Sequence, residues 1–214
     1  MAGRRSAYRD HPMSPPVYIA LEGPEGCGKS TQAKRLADAI GAVLTRETGG
    51  TAIGERLRTI LHDVTVTELD ARAESLIVAA DRAQHIAEVV RPALDAAHHV
   101  VSDRSVYSSL AYQGHGRELP IEELRSINDW AIRGTWPDLV VLLDVPSKVI
   151  AKRMKTRQLD RFERAGADFH ARVLGGFAAM AAADPDHWAV VDASRSVAAV
   201  ATGIRAIVRE RCGI

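Results

Sequence analysis

Residues 17–31 read VYIALEGPEGCGKST, and the fold turns on the change of character within them. The apolar run VYIAL, closed by charged Glu22, has the length of a buried strand rather than of a helix. Gly23, Gly28, Lys29 and Ser30 then meet the spacing G-x-x-x-x-G-K-S/T, directly after the strand and opening a helical stretch, which is the context that gives the pattern meaning. Glycines let the backbone curl until successive N–H groups face one point, and the helix N-terminus adds partial positive charge there. Gly23, Pro24, Glu25, Gly26, Cys27, Gly28, Lys29, Ser30 and Thr31 are therefore assigned to the phosphates of a nucleoside triphosphate, ATP. Lys29 is expected to reach its β and γ phosphates, and the Ser30 hydroxyl to ligate Mg²⁺. The plain alternative, a glycine turn that only joins strand to helix, fits less well with all four positions and both flanking elements in place.

Outward from this stretch, short runs rich in β-branched residues alternate with longer segments of helical period, the signature of an α/β fold with a parallel sheet. Strands are expected over Val17–Leu21, Ala42–Thr45, Val100–Ser102, Leu139–Leu143 and Ala189–Val191, giving one five-stranded parallel sheet flanked by helices in three layers. Helices are expected over Lys29–Ile40, Ile53–Leu61, Glu68–Ala97, Ile121–Ile132, Ser147–Met154, Asp168–Ala183 and Val197–Arg211. Pro92 lacks an N–H and should bend or end the third of these. Residues 1–16 read as a frayed tail and 17–214 as a single domain.

The 214 residues, 46% of them hydrophobic, suffice for one domain with a sizeable core. Twenty-eight basic against 27 acidic residues leave a net charge of +1, so no whole-protein field draws nucleic acid or an anionic membrane. An anion site must be local. Two cysteines, Cys27 and Cys212, suit a reducing compartment. No export signal and no apolar stretch of membrane-spanning length is evident, so a cytoplasmic location is expected. Cys27 reads as a small filler of the loop, and His98 and His99 as loop residues rather than zinc ligands.

A phosphate loop is common to switch GTPases, helicases, transporter ATPases and small-molecule kinases, so function rests on the remaining sites. The sequence has no N-K-x-D guanine reader, no D-E-x-D helicase box and no L-S-G-G-Q transporter signature, and the kinase option survives. Asp103 and Arg104 end the third strand in SDR, at the carboxyl edge where ligands bind in open α/β sheets. Asp103 there is placed to orient Mg²⁺ or its water shell; a structural salt bridge is the alternative for the pair. Val78 and Arg82 lie one turn apart on one helix face, with Gln84 and His85 near the same end. The basic stretch KRMKTRQLDRFE, residues 152–163, departs from apolar periodicity and reads as a lid over about 153–163. The phosphate loop carries no arginine of its own, so Arg153, Lys155 and Arg157 are the cations expected to meet charge in the transition state.

The segments LEGPEGCGKST, TRETGGT, AADRAQH, SDRSVYSSLAYQG and LDRFE, in that order, resemble bacterial thymidylate kinase from about Val17 onward. That resemblance implies the P-loop NTPase fold, Mg²⁺-assisted transfer of the ATP γ-phosphoryl group to a nucleoside monophosphate, normally dTMP, and a homodimer formed by packed helices. It implies that Arg104 and Arg46 meet the acceptor phosphate and that Glu25 meets the 3′-hydroxyl of its sugar. Val78 and Arg82 would face the base, and Ser109, Tyr112 and Gln113 the base and deoxyribose. Asp160 and Glu163 match acidic lid residues. By the same resemblance Lys29, Glu25, Arg104, Arg153, Lys155 and Arg157 form the catalytic set.

Three departures from the family pattern are expected to surround the acceptor pocket. Phenylalanine is usual at Val78, an aromatic or histidine at Ser105, and proline at Thr48. A cis bond before Thr48 would cost about 3 kcal/mol, so that turn is expected to differ. These departures raise two alternatives: a kinase with another acceptor, such as dUMP or a modified pyrimidine nucleotide, and a nucleotide-binding regulatory protein of weak activity.

Overall fold

The structure is a computed structural model that describes residues 15–155 and 160–214. Most of the expected tail therefore lies outside the described residues, as does Arg157. β1 (Tyr18–Glu22), β2 (Val43–Arg46), β3 (Val100–Asp103), β4 (Leu139–Asp144) and β5 (Trp188–Asp192) form one sheet in the order β2-β3-β1-β4-β5. Every pairing is parallel, with Ile19 of β1 opposite Val101 of β3 and Leu139 of β4. β1 is buried along its whole length, which is why it reads as an unbroken apolar run instead of an alternating one.

Alternate side chains of the strands feed two cores. Ile19, Leu21, Val101, Val141 and Leu143 pack with α1 (Lys29–Ile40) and α9 (Val197–Cys212) on one face. Tyr18, Val100, Val140, Leu142 and Trp188 meet the helices of the other face. Those helices include α3 (Ala71–His85), α5 (Val106–Ser109), α6 (Ile121–Ile132) and α8 (Ala167–Ala183). α2 (Ala52–His62) packs on α3, and α7 (Ser147–Met154) follows β4. This is the expected three-layer α/β arrangement, and most expected elements agree with the observed ones to within a few residues.

Two helical differences have local causes. α3 begins at Ala71, not Glu68, because the Asp70 carboxylate accepts the N–H groups of Arg72 and Ala73 at 2.8 and 3.2 Å and caps the helix there. Of the two outcomes expected at Pro92, a bend or an end, the helix does not end there. It widens into a π-helical turn over Ile86–Val90 and resumes as α4 (Arg91–Asp95). The proline ring would clash with the carbonyl four residues back, and shifting the ladder one turn earlier removes that conflict. A second π-helical stretch, Leu110–Gly116, extends α5 and carries Tyr112 and Gln113.

Candidate active site

The carboxyl ends of β1, β2 and β3 open onto a cavity of about 700 Å³. Gly26, Gly28, Lys29, Ser30 and Thr31 line one part of it, and Val78, Arg82, Ser109, Tyr112 and Gln113 another, with Glu25, Arg46, Asp103 and Arg104 also in its wall. Residues far apart in the sequence are thus gathered at the carboxyl edge of the sheet, where β1 lies between β3 and β4, the usual ligand edge of open α/β sheets.

The phosphate loop is shaped by its glycines. Gly23 has φ 138°, and a Cβ there would lie 2.8 Å from the carbonyl oxygen of Leu143, so no larger residue fits. Gly28 caps α1 at φ 103° without a side-chain cap, which leaves the first-turn N–H groups facing the cavity. Lys29 is buried, and its Nζ donates to the carbonyls of Gly23 at 3.1 Å and Pro24 at 2.8 Å. Cys27 is buried among the apolar residues behind the loop, the filler position expected for it. Ser30 Oγ donates to Asp103 Oδ2 at 2.5 Å, so two hard oxygen donors stand side by side at the cavity. That donor set suits Mg²⁺, which needs only one or two protein oxygens beside water and phosphate.

Arg104 sits at φ 75° and is held on several sides. Its Nη1 donates to Gly23 O at 3.2 Å and Ser108 Oγ at 3.0 Å, and its Nη2 to the Tyr112 hydroxyl at 3.1 Å and to the Glu25 carboxylate. Glu22, a residue the sequence reading passed over, fixes the turn that aims it. Its fully buried carboxylate accepts the N–H and hydroxyl groups of Ser105 and Ser108 at 2.7 to 3.2 Å. Burial pushes the Glu22 carboxyl above its ordinary value, although Arg104 and the serines counter it. The signal for Glu22 was its place, the charge that closes a buried strand.

The wall around Val78 is assembled differently. Arg82 is 1% exposed. Its Nε donates to Glu47 at 2.7 Å, its Nη1 to Ser109 at 2.9 Å and to Asn128, and its Nη2 to the Ser105 carbonyl at 3.1 Å. Among the described residues these bonds use four of its five N–H groups, which leaves one on Nη2. His85 bridges Thr45 at 2.7 Å and Glu47 at 2.8 Å. Burial alone would raise the Glu47 carboxyl, but Arg82 and His85 hold it below its ordinary value. Glu47 and His85 are therefore the struts of the loop that follows β2.

That loop corrects one expectation. The Glu47–Thr48 peptide is cis, so threonine does not abolish the turn. The loop is gripped from both sides: Gly49 N donates to Asp81 at 2.8 Å, and Arg58 donates to the carbonyl and hydroxyl oxygens of Thr48 at 3.2 Å. Arg58 also lines the cavity, with its guanidinium pKa lowered by burial and by nearby Arg46. It was missed because an arginine on an amphipathic helix reads as surface. Arg46 pairs with Glu55 at 2.7 Å. A second correction concerns Ser105, which is wholly buried against Glu22 and absent from the cavity wall. As the cap of α5 it works behind the pocket, while Val78 and Thr48 do line it.

The basic stretch is only partly gathered at the site. Arg153 stays outside the cavity wall, with Nη1 donating to the carbonyls of Gly26 and Cys27 at 3.2 Å and Nη2 to Ala193 O at 3.0 Å. Lys155 is exposed, and Arg157 lies outside the described residues. Beyond the gap, Asp160 accepts from His62 at 2.6 Å, and the carboxylates of Asp160 and Glu163 each accept the other's backbone N–H at 2.9 Å, so these acids brace the segment. Phe162 lines the cavity.

Comparison with known proteins converges on one family. The model of the family described as thymidylate kinase matches residues 21–204. Thymidylate kinase from Desulforudis audaxviator is 45% identical over 199 residues, covering 90% of each chain. That from Bifidobacterium longum is 43% identical over 91% of this chain and 98% of the relative, and that from Chromobacterium violaceum 46% over 87% and 91%. The crystal structure of thymidylate kinase from Ehrlichia chaffeensis superposes with a TM-score of 0.74 at 27% identity, over 90% of this chain and 98% of that one. With a phosphate loop, a strand-end Asp-Arg pair and an opposed polar wall around one cavity, and with relatives matched along nearly their full length, the chain belongs to the thymidylate kinase family.

Proposed function

We infer that the protein transfers the γ-phosphoryl group of ATP to dTMP, giving dTDP and ADP. The observation that carries this reading is a cavity whose wall joins a phosphate loop to a separate polar and apolar recess, with cations between. Phosphoryl transfer asks little covalent chemistry of a protein and much in-line positioning and charge compensation, and the wall is equipped for both.

In this reading the N–H groups of the loop from Gly23 to Thr31 hold the ATP phosphates, and Lys29 turns from its own loop carbonyls toward them. Ser30 and Asp103 would hold Mg²⁺, which when bound offsets phosphate charge. Arg104, Arg46 and Arg58 receive the acceptor phosphate, with Glu25 positioned for the sugar. Val78 and the remaining Nη2 hydrogen of Arg82 face the base, and Ser109, Tyr112 and Gln113 complete the recess. Burial raises the Tyr112 pKa above its ordinary value, although Arg104 counters it. Arg153 supports the loop through its outward carbonyls, and we assign to Lys155 and Arg157 the charge that meets the transferring group.

We place the enzyme in the cytoplasm as a homodimer. Exposed Leu76 on α3 and Trp130 on α6 offer an apolar face for a second copy. A coupled assay of ADP release over dTMP, dUMP, dCMP, dGMP and AMP tests the acceptor: dTMP should give the highest kcat/KM, and preference for another monophosphate would overturn the assignment.

A further inference from the structure

Glu74 lies on α3 one turn before Val78, is 0% exposed, and does not itself line the cavity. Its two oxygens collect donors from two distant segments. Oε1 accepts from Gln113 Nε2 at 2.8 Å and Arg117 Nε at 3.4 Å, and Oε2 from Arg117 Nη2 at 3.0 Å and Arg161 Nη2 at 2.7 Å. One buried carboxylate thus faces two guanidinium groups and a carboxamide. Such a group is costly to bury unless its partners are fixed, and fixed partners in turn fix what they touch.

Those partners touch the wall of the recess. Gln113 lines it directly. The Arg161 guanidinium carbon lies 4.8 Å from the centre of the Phe162 ring, and that of Arg117 4.7 Å from the centre of the Phe169 ring. Both rings meet the Tyr112 ring edgewise at 6.1 Å, and the Tyr112 hydroxyl accepts from Arg104. Arg161 also donates to the carbonyl of Leu61, another residue of the wall, at 2.9 Å.

We propose that Glu74 is a positioning residue for the acceptor: it sets the mutual placement of Gln113, Tyr112 and Phe162, and so the fit of the monophosphate, without touching it. The donor side has no comparable tie to Glu74 among the described residues. Acceptor binding should therefore respond to Glu74 far more than ATP binding does. This rests on the assignment of the recess to the acceptor nucleotide.

The test pairs a ligand-free readout with kinetics. The chain has three phenylalanines, so protein labelled with 4-fluorophenylalanine gives three ¹⁹F resonances, of which only Phe162 and Phe169 lie under arginines bound to Glu74. In E74Q those two should shift while Phe177 moves least, and KM for dTMP should rise about 10-fold with KM for ATP within about twofold. If E74Q does not fold, R161K serves: lysine lacks the planar fork by which Arg161 reaches Leu61 and Glu74 from two separate nitrogens, so the Phe162 resonance alone should shift and KM for dTMP rise about threefold. Unmoved resonances, an unchanged KM for dTMP, or an equal rise in both KM values would overturn the proposal. A wild-type protein inactive toward dTMP would overturn the functional assignment first, whereas an active wild type with an E74Q variant of unchanged KM sinks only the role of Glu74.

Discussion

Arg104, at the end of β3, donates to the carboxylate of Glu25 in the phosphate loop, so an ion pair spans the cavity between the two sequence motifs that define it. The pair lets a half-buried arginine await an anion without standing uncompensated. In the proposed reading, an incoming phosphate with more charge than a carboxylate takes over the guanidinium and releases Glu25 toward the sugar.

Arg104→Ala should lower kcat/KM for dTMP by about 100-fold, the loss expected for a charge-assisted bond in a desolvated site. Arg104→Lys keeps the charge but not the planar fork, and should fall between the two. Steady-state kinetics at saturating ATP measures this, and a change below threefold for the alanine variant would contradict the placement of the acceptor phosphate.

Excess EDTA should abolish turnover, with recovery on adding Mg²⁺. Asp103→Asn should raise the Mg²⁺ concentration for half-maximal rate about 10-fold, in line with loss of a carboxylate that holds or orients a metal ligand. Titration of Mg²⁺ at fixed ATP distinguishes this from a general loss of activity, which would lower the plateau without moving the midpoint.

Val78 forms part of the recess where a ring would add a stacking surface. Val78→Phe should lower KM for dTMP about fivefold, corresponding to about 1 kcal/mol from stacking. An unchanged KM would show that this position does not touch the base.

Legibility in the sequence followed locality. The strand, glycine turn and helix of residues 17–31 were readable because each step is decided by near neighbours, and α1 runs over the residues its period predicted. Asp103 and Arg104 were readable because the end of a parallel strand marks the ligand edge. Glu22, Glu47, Arg58 and Glu74 were not, since each matters through partners far along the chain, such as Glu74 with Arg161 at 2.7 Å. Periodicity shows which face of α3 is buried, but it does not show that a carboxylate on that face meets two arginines. Ser105 misled for the same reason: proximity to Arg104 in sequence suggested the pocket, while its side chain turns back to Glu22.

Asp81 gives a pH prediction. It is 1% exposed, its Oδ1 accepts from Gly49, and its Oδ2 has no partner among the described residues. Burial raises its pKa, so the folded chain keeps this proton to higher pH than the unfolded chain does. Its contribution to stability therefore falls as pH rises from about 4, the unfolded value, through the folded value. Asp81→Asn keeps an oxygen for Gly49 and removes the ionisation, so Tm at pH 7.5 should rise by about 2 °C while the gain disappears near pH 4. Calorimetry at several pH values checks this; a variant less stable than wild type at pH 7.5 would contradict it.

The central claim is that one cavity holds a donor and an acceptor nucleotide with their phosphates meeting beside Lys29 and Arg104. ³¹P NMR of the protein with Mg²⁺, ATP and dTMP measures it directly. Resonances of ADP and dTDP should grow together in equal amounts, and neither should grow when dTMP is left out. Release of inorganic phosphate in place of dTDP, or ADP formed at the same rate without dTMP, would contradict the account.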